Sequence, residues 1–257
     1  MPEFCKAERD GHILTVTMNR PQRMNALHSP SHFEMDEIFN DFESDPDLWV
    51  AIVTGAGDKA FSAGNDLKWQ AEGKKTEPPA SGFAGLVNRF NMKKPIIGAV
   101  NGLAMGGGFE VALACDIIIA SENAFFALPE PRVGLAALAG GLHRLSRQIP
   151  MKQAMGMILT GRRVMAEEGY KLGFVTEVVP EGGALEGARR WAELISECSP
   201  VSIRTSKDVV LRGQDHSSVG EAMLAKYQSI EDMKNSLDFI EGPLAFSEKR
   251  PPDWKGR

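Results

Sequence analysis

Apolar and polar residues follow two alternating patterns over the first 180 residues of the chain. Short apolar runs bounded by turn-forming residues are typical of strands, and apolar residues that recur at three- and four-residue steps are typical of helices. The alternation of the two patterns predicts an α/β core. Strands are predicted at residues 12–18, 49–54, 95–100, 116–120, 124–128 and 175–179. Helices are predicted at residues 32–43, 83–91, 142–149, 151–159 and 166–172, with a further apolar helix directly after residues 106–108.

Beyond residue 183 the pattern changes, because helical repeats continue without a strand between them. The helices predicted there cover residues 185–198, 201–211, 218–234 and 236–240. We therefore expect an α/β core, residues 1–195, followed by an all-helical region, residues 196–257.

Composition narrows the classes of function that the chain can serve. The 257 residues are 43% hydrophobic and 25% charged, as in ordinary soluble globular proteins. The net charge of −5 gives no overall attraction to nucleic acid or to an anionic membrane, so neither is expected as a partner. No apolar run approaches the ~20 residues that a membrane span needs, and residues 1–6 carry no apolar signal region. A cytoplasmic location is expected.

The residue types that commonly bind metals or form covalent intermediates show no recognisable spacing. Cys5, Cys115 and Cys198 are widely separated and form no C-x-x-C pair, and the histidines lack metal-ligand spacing. No catalytic triad can be recognised, and neither a Walker loop nor a dinucleotide fingerprint occurs. No metal site is expected.

Three glycines at residues 106–108 open the apolar helix that contains Glu110. Glycines there let unpaired backbone N–H groups approach a ligand at the positive end of the helix dipole. Glu110 is the only charged residue between Lys94 and Asp116. Because burying a carboxylate without partners is costly, such a residue usually has a shifted pKa or a specific role. The simpler alternative is that Glu110 faces a water pocket or caps a nearby donor, and that the glycines only form a tight turn.

Glu130 is a second isolated acid, the only charged residue between Glu122 and Arg132. Two carboxyls in separate environments can divide the acid and base roles, which is what moving water across a C=C bond requires. The simpler alternative is that Glu130 pairs with Arg132 or with a partner chain.

Two turns that contain glycine could stabilise the enolate oxygen that forms during such chemistry. A proton next to a carbonyl is exchanged easily only if the enolate oxygen is stabilised, and two convergent backbone N–H groups can do this. Asn65, in the turn at residues 61–68, and Gly107 are the candidates.

Six groups of short motifs occur in a fixed order along the chain. They are residues 19–21 (NRP) with 25–27 (NAL), 61–68 (FSAGNDLK), 101–102 (NG) with 106–110 (GGGFE), 126–130 (FALPE), 159–162 (LTGR) and 245–250 (AFSEKR). Together they resemble the enoyl-CoA hydratase/isomerase, or crotonase, family nearly from end to end. The resemblance implies a crotonase-type spiral of ββα units with an α-helical C-terminal trimerisation part. It also implies self-association as a trimer or a dimer of trimers.

The resemblance assigns roles to the candidate residues. The thioester oxygen of an acyl-CoA substrate is expected between the N–H groups of Asn65 and Gly107. Glu110 is expected to activate the water that attacks the β-carbon, and Glu130 to deliver a proton to the α-carbon. The presence of both acids favours hydratase or dehydratase chemistry. No cofactor is expected, since coenzyme A is part of the substrate.

The resemblance also implies contacts to coenzyme A. Arg23 and Lys68 are placed for its phosphates, and Phe246 and Lys249 resemble positions that reach CoA, often from a neighbouring subunit. The simpler alternative for these four is solvated basic side chains and a packing phenylalanine. The backbone expected near the adenine and the pantetheine is that of Ala26, Ala63, Asp66 and Leu67.

Three segments look most like the family branch that contains carnitinyl-CoA dehydratases: residues 81–86, 240–246 and 254–257. Residues 134–140 are wholly apolar, which favours a more apolar acyl group than cationic carnitine. Aromatic residues near such a pocket are more often plain core. The candidate acyl-pocket residues are Trp69, Phe83, Phe90 and Leu135.

The leading hypothesis is a cofactor-independent enoyl-CoA hydratase, a hydro-lyase. The alternatives within the same fold are a carnitinyl-CoA dehydratase or an enoyl-CoA isomerase that acts on a decorated acyl-CoA. A remote alternative is a non-catalytic scaffold that binds acyl-CoA or associates with RNA, against which the acidic net charge and the two glutamates argue.

Overall fold

The structure, a computed structural model, describes residues 3–75 and 77–257. Residues 1 and 2 of the predicted core, and Thr76, lie outside the described residues. The strands are β1 (Cys5–Asp10), β2 (Ile13–Met18), β3 (Val50–Gly55), β4 (Ala60–Ser62), β5 (Ile96–Val100), β6 (Leu103–Met105), β7 (Ile117–Ser121), β8 (Phe125–Ala127), β9 (Val164–Met165) and β10 (Glu177–Val179). The helices are α1 (Ser29–Ser44), α2 (Leu67–Ala71), α3 (Gly107–Ala114), α4 (Gly141–Gln148), α5 (Met151–Thr160), α6 (Ala166–Leu172), α7 (Ala184–Ser196), α8 (Pro200–Gly213), α9 (Val219–Leu224), α10 (Gln228–Lys234) and α11 (Leu237–Glu248).

The strands form two sheets. The larger sheet has the order β1-β2-β3-β5-β7-β10, parallel from β2 onward with β1 as an antiparallel edge. The smaller sheet has the order β4-β6-β8-β9, and β4, β6 and β8 run parallel. Each of β3, β5 and β7 is followed in the chain by a strand of the smaller sheet and then by helical structure. This recurrence is a spiral of ββα units, so the predicted fold class is confirmed.

Apolar side chains fill both faces of the larger sheet. One cluster includes Phe39, Phe61, Phe109 and Phe126, all fully buried. A second cluster forms where α7 packs on β3, β5 and β7. Because both faces are covered, the central strands are continuous apolar runs, which is why they could be recognised from the sequence.

The six predicted strands are present with ends shifted by at most two residues, whereas β1, β4, β6 and β9 were not predicted. β9 has only two residues. β1 is an edge strand whose residues after Cys5 are exposed and mostly polar, so it lacks an apolar run. β4 and β6 have three residues each, too few to show a periodicity.

Three helix predictions are wrong in extent. Residues 83–91 form only one 3-10 turn, Phe83–Gly85, because Ala84 adopts a left-handed conformation with φ of 58°. The predicted helix 218–234 is two helices, since Ala225 has extended backbone between them. The predicted helix 236–240 continues to Glu248 despite Pro243 in its interior.

The C-terminal helices contact the core through polar groups. Lys207 of α8 donates hydrogen bonds from Nζ to the Lys94 carbonyl at 2.9 Å and to Asp116 Oδ2 at 2.7 Å. The expected boundary at residue 195 falls at the end of α7, and the division into two domains stays a prediction. Among the described residues, the helices are all too short or too polar to cross a membrane.

Candidate active site

Three neighbouring parallel strands of the smaller sheet end at the same place. Asn65 follows β4, Gly107 follows β6 and Glu130 follows β8, each within three residues of the strand end. The carboxyl ends of parallel strands share one edge of a sheet, where loops can converge on a ligand. The topology therefore brings together residues that are far apart in the chain.

The turns that carry Asn65 and Gly107 pack against each other. A Cβ on Gly64 would lie 2.7 Å from the Gly107 backbone nitrogen and 2.6 Å from the Met105 carbonyl oxygen, so only glycine permits this approach. Gly64 has a φ of 84°, which also favours glycine. The residue that follows Gly64 is therefore a direct neighbour of the first turn of α3.

Both candidate amides are free to donate. Leu27 pairs with Asn65 in a parallel bridge, in which the Leu27 N–H donates to the Gly64 carbonyl and the Asp66 N–H to the Leu27 carbonyl, both at 2.8 Å. Within the described chain, the N–H groups of Asn65 and Gly107 donate to no protein acceptor. Gly107 is the first residue of α3, so its N–H also lies at the positive end of the helix dipole. Two such amides can stabilise an oxyanion.

Glu110 lies on α3 and is only 3% exposed. Its Oε1 accepts a hydrogen bond from the Gly141 N–H, the first amide of α4, at 2.9 Å. Burial raises the pKa of Glu110 to about 7, and the charge of Glu130 adds to the rise. The amides of Gly141 and Ala139 and the charge of Arg144 oppose it. Glu110 can therefore exchange a proton near neutral pH.

Glu130 opens a 3-10 turn, Glu130–Val133, that follows β8. Its Oε1 lies 3.0 Å from where a Cβ of Gly106 would be, directly before α3. Its Oε2 is buried and has no hydrogen-bond partner among the described residues. Burial raises the pKa of Glu130, which favours its protonated form. The predicted alternative of an ion pair with Arg132 is not seen, since the Arg132 Nε donates to the Thr160 carbonyl.

The two carboxyls thus lie at one place, next to two free amides. Two acids in different environments can act as base and acid on neighbouring carbons, and the amides can hold the charge that develops between them. The structure brings the two glutamates and the two turns together, although they are far apart in the sequence. Their catalytic roles remain a prediction.

A buried ion pair fixes the loop that carries Asn65. Arg20 Nη2 lies 2.9 Å from Asp66 Oδ2, and the two side chains are less than a tenth exposed. Arg20 also donates to the Ala26 carbonyl, and Asp66 Oδ1 accepts from the Trp69 N–H at 3.1 Å, capping α2. Burial acts to raise the pKa of Asp66, but the Trp69 amide and Arg20 outweigh it, so this pKa is lowered. The Asp66 side chain is therefore structural.

The other residues expected at coenzyme A lie on two parts of the surface. Arg23, Leu67 and Lys68 are exposed near the ion pair, Ala63 is half-buried and Ala26 is buried with a backbone N–H that donates to the Arg23 carbonyl. Phe246 is 87% exposed on α11, and Lys249 is exposed at the end of that helix. The CoA-binding roles of these residues stay a prediction.

Phe83 covers the start of α3. A Cβ on Gly107 would lie 2.5 Å from the Phe83 ring, so the ring sits directly on the Gly107 Cα. The neighbouring Ala84 N–H donates to His32 Nδ1 at 3.0 Å, and burial lowers the pKa of His32 to about 4, so His32 stays a neutral acceptor. This interaction holds Phe83 in place at the site.

The other acyl-pocket candidates are partly or largely exposed. Trp69 donates from Nε1 to the Lys75 carbonyl at 3.1 Å and packs edge-on against His28. Phe90 is 74% exposed and Leu135 is 49% exposed. Their role in binding an acyl group stays a prediction.

An apolar pocket of about 270 Å³ is lined by chain neighbours of Glu130 and by a residue close to Glu110. Leu128 and Pro131 flank Glu130 in the chain. A Cβ on Gly141 would lie 3.0 Å from the Ala137 Cβ and 3.1 Å from Glu110 Oε1, so Ala137 borders Glu110. The pocket is lined by Leu128, Pro131, Ala136, Ala137, Leu142, Ile158 and Leu159. Two of these belong to the apolar segment 134–140 that the sequence singled out, but the four acyl-pocket candidates are not among them.

Sequence reasoning missed several residues that shape the site. Gly141 supplies the hydrogen bond to Glu110, and Arg144, one turn further along α4, is a half-buried cation nearby. Nothing in the sequence distinguishes Arg144 from the exposed Arg147 on the same helix. Arg20, which forms the ion pair, could have been noticed as part of the N-R-P motif. Among the described residues, no group of three or more histidine, cysteine or acidic side chains is placed to hold a metal ion.

The family model described as enoyl-CoA hydratase/isomerase matches residues 8–257. Together with the fold and the two glutamates, this match defines the class of the protein. The chain belongs to the enoyl-CoA hydratase/isomerase family.

Within this family the chain is similar to carnitinyl-CoA dehydratases. It is 43% identical to the carnitinyl-CoA dehydratase of Escherichia coli O157:H7 and 42% identical to that of Salmonella typhi, over the whole of each chain. Among solved structures it is similar to an enoyl-CoA hydratase from Mycobacterium tuberculosis, with a TM-score of 0.93, 34% identity and full coverage of both chains. A carnitinyl-CoA hydratase from Mycobacterium avium is 39% identical, with a TM-score of 0.79 and 99% coverage of both. The predicted family, and its carnitinyl-CoA dehydratase branch, are confirmed.

Proposed function

We propose that the protein is a hydro-lyase that adds water reversibly across the 2,3 double bond of an acyl-CoA thioester. The observation that carries this proposal is the arrangement of the buried Glu110 and the half-buried Glu130 beside two free backbone amides. The family of the chain consists of enzymes that are named for this chemistry.

In the proposed reaction the thioester oxygen lies between the N–H groups of Asn65 and Gly107. Glu110 takes a proton from a water molecule as the water oxygen forms its bond to C3. The π electrons of the double bond move to give an enolate, whose oxygen the two amides stabilise. Glu130 then donates its proton to C2. A proton passing from Glu110 to Glu130 restores the starting state, and the reverse sequence dehydrates the product.

The reaction as proposed needs no resident cofactor, because acid–base groups and backbone dipoles supply each step. Arg23 and Lys68 are exposed near the loop that carries Asn65, where they can reach the phosphates of CoA. The backbone of Ala26, Ala63, Asp66 and Leu67 borders the same loop.

Self-association as a trimer or a dimer of trimers is part of the proposal. Phe246 and Ile240 of α11 are 87% and 67% exposed. Large apolar side chains exposed together on one helix can mark a surface that contacts another protein. A second copy would cover them and could bring Phe246 and Lys249 to the CoA of a neighbouring site. A cytoplasmic location stays a prediction.

The acyl group is proposed to be neutral and apolar beyond C3. The seven residues that line the pocket beside the glutamates are apolar, and none of them carries a carboxylate or an aromatic ring that would stabilise a quaternary ammonium. The alternative is a carnitinyl-type substrate, which the names of the relatives favour.

One kinetic experiment tests both parts of the proposal. Wild-type protein is assayed for hydration of crotonyl-CoA, longer 2-enoyl-CoAs and crotonobetainyl-CoA. Substituting Glu110→Gln or Glu130→Gln should lower the rate on the preferred thioester by about 10²-fold or more, because each variant loses a positioned acid–base group.

The outcomes separate the alternatives. Hydration at wild-type rates by both variants would refute the roles of the glutamates. A preference for crotonobetainyl-CoA would refute the apolar acyl group and leave the hydration chemistry intact. Migration of the double bond without uptake of water would identify an isomerase instead.

A further inference from the structure

Arg144 is a half-buried cation that the proposed reaction does not use. It lies on α4, and its guanidinium contacts a backbone carbonyl and an aromatic ring. Nη2 donates to the Val87 carbonyl at 2.6 Å, and the guanidinium carbon lies 5.8 Å from the centre of the Phe90 ring. Arg144 forms no ion pair with a carboxylate of the described residues, although desolvating a charge without a partner is costly.

The carboxylate that acts on this charge is that of Glu110. The two groups touch consecutive residues of one backbone segment: Arg144 Nη1 packs against the Cα of Gly140, and Glu110 Oε1 accepts the N–H of Gly141. The other acidic group near Arg144 is the thiol of Cys115, and burial raises the pKa of this thiol far above its usual range, so it is neutral. Glu110 is therefore the anion that compensates Arg144.

The groups that face Glu110 come from every element packed around it. Glu130, on the 3-10 turn after β8, disfavours the ionised form of Glu110 by like-charge repulsion. The amides of Ala139 and Gly141 and the cation of Arg144 favour the ionised form. Arg144 is the only full positive charge in this set, and the others that favour ionisation are backbone dipoles.

Arg144 also joins segments that the site depends on. Through Val87 it holds the segment that follows Phe83, the ring that lies on Gly107. Its own helix begins at Gly141, the donor to Glu110. One side chain therefore ties the start of α4 to the segment that covers the start of α3.

We propose that Arg144 is a positioning residue that holds the two segments around Glu110 in register and stabilises the ionised form of its carboxylate. This inference rests on the proposed function only for its effect on rate, because the ionisation of Glu110 can be measured without substrate. Because the two side chains contact consecutive residues of one segment, we expect the Arg144 charge to shift the midpoint of the Glu110 titration by about one pH unit.

The test compares three substitutions. Arg144→Gln keeps a hydrogen-bond donor and removes the charge, and Arg144→Lys keeps the charge. Arg147→Gln, on the exposed face of the same helix, is the matched control, since within the described residues the Arg147 side chain hydrogen-bonds only to the His143 carbonyl. Glu110 is titrated by NMR in protein carrying glutamate labelled with ¹³C at the carboxyl carbon, with Glu110→Gln to assign the signal. The pH dependence of kcat/KM is measured on the same proteins.

In Arg144→Gln the Glu110 signal and the acidic limb of the kcat/KM profile should both move up by about one pH unit. Arg144→Lys and Arg147→Gln should titrate like the wild type. An unchanged Glu110 titration in folded Arg144→Gln would overturn the inference, even if hydration still depended on both glutamates.

If Arg144→Gln does not fold, Arg144→Lys decides alone. If Glu110 in Arg144→Lys titrates at the same pH as in the wild type, the role of the charge is supported. If the midpoint of this titration moves to a higher pH, that role is overturned. A protein that hydrates no thioester can still pass or fail this test, so failure of the proposed function and failure of this inference are distinguishable.

Discussion

At the scale of single residues, the site depends on the raised pKa of one buried acid, Glu110. Glu110 is 3% exposed, and burial raises its pKa to about 7. An ordinary exposed glutamate would be ionised at neutral pH and would be a weaker base. The protein therefore gives up stability at Glu110 to gain a group that can both take and return a proton near pH 7.

This cost predicts a pH-dependent effect of Glu110→Gln on stability. Below the unfolded pKa of 4.5 the folded and unfolded states are both protonated, so Glu110 adds no penalty. As the pH rises from there to about 7, the unfolded state loses its proton first and the wild type loses stability relative to the variant. Above this window the full difference is about 3 kcal/mol, because one pKa unit corresponds to about 1.4 kcal/mol.

Urea unfolding of both proteins at several pH values measures this difference. The advantage of Glu110→Gln should be near zero at the acidic end and greatest above neutral pH. Glutamine keeps an oxygen that can accept the Gly141 N–H, so the comparison isolates the charge. A stability difference that does not change with pH would contradict the account of Glu110.

At the scale of elements, the start of α3 is the most constrained part of the site. Gly107 supplies an amide that has no acceptor among the described residues, and its Cα is covered by the Phe83 ring. The position of this helix start relative to the turn at Gly64 sets where an oxyanion can bind.

Gly107→Ala should therefore lower the hydration rate by about 10² to 10³, the usual effect of losing one oxyanion donor. The new methyl group would lie 2.5 Å from the Phe83 ring, so either the ring or the helix start must move. The measurement is kcat on the preferred thioester together with urea unfolding.

Gly156→Ala, in the middle of α5, is the matched control. A Cβ there has no heavy atom within 4 Å, so this variant should keep its rate and gain about 0.5–1 kcal/mol of stability from the better helix former. Equal rates for wild type and Gly107→Ala would contradict the prediction that the Phe83 ring forces the helix start to move.

The helices and strands that could be predicted from the sequence are those with a regular apolar pattern. β3 and β5 are buried on both faces, so their apolar runs could be recognised, whereas β4 and β6 are too short to show a pattern. The two glutamates stood out because they are charges in apolar surroundings. Arg144 could not be found, because the Val87 carbonyl that it contacts and the Glu110 charge that acts on it come near it only in the folded protein.

At the scale of the whole molecule, repetition of the ββα unit creates the site. Successive units place β4, β6 and β8 side by side, so the loops that follow them meet at one edge of the smaller sheet. The motifs predicted this fold only through resemblance to a family, since neither composition nor periodicity specifies a spiral. The contribution of α11 from a second copy is the part of the proposal that a single chain does not contain.

The most direct test of the account is a crystal structure of the protein with a saturated acyl-CoA, which binds but cannot be hydrated. We predict that the thioester oxygen lies about 3 Å from the backbone nitrogens of both Asn65 and Gly107, the distance expected for oxyanion donors. Glu130 should then face C2 and Glu110 should face C3. A thioester oxygen that contacts neither amide, or an acyl chain bound in a cavity away from the two glutamates, would contradict it.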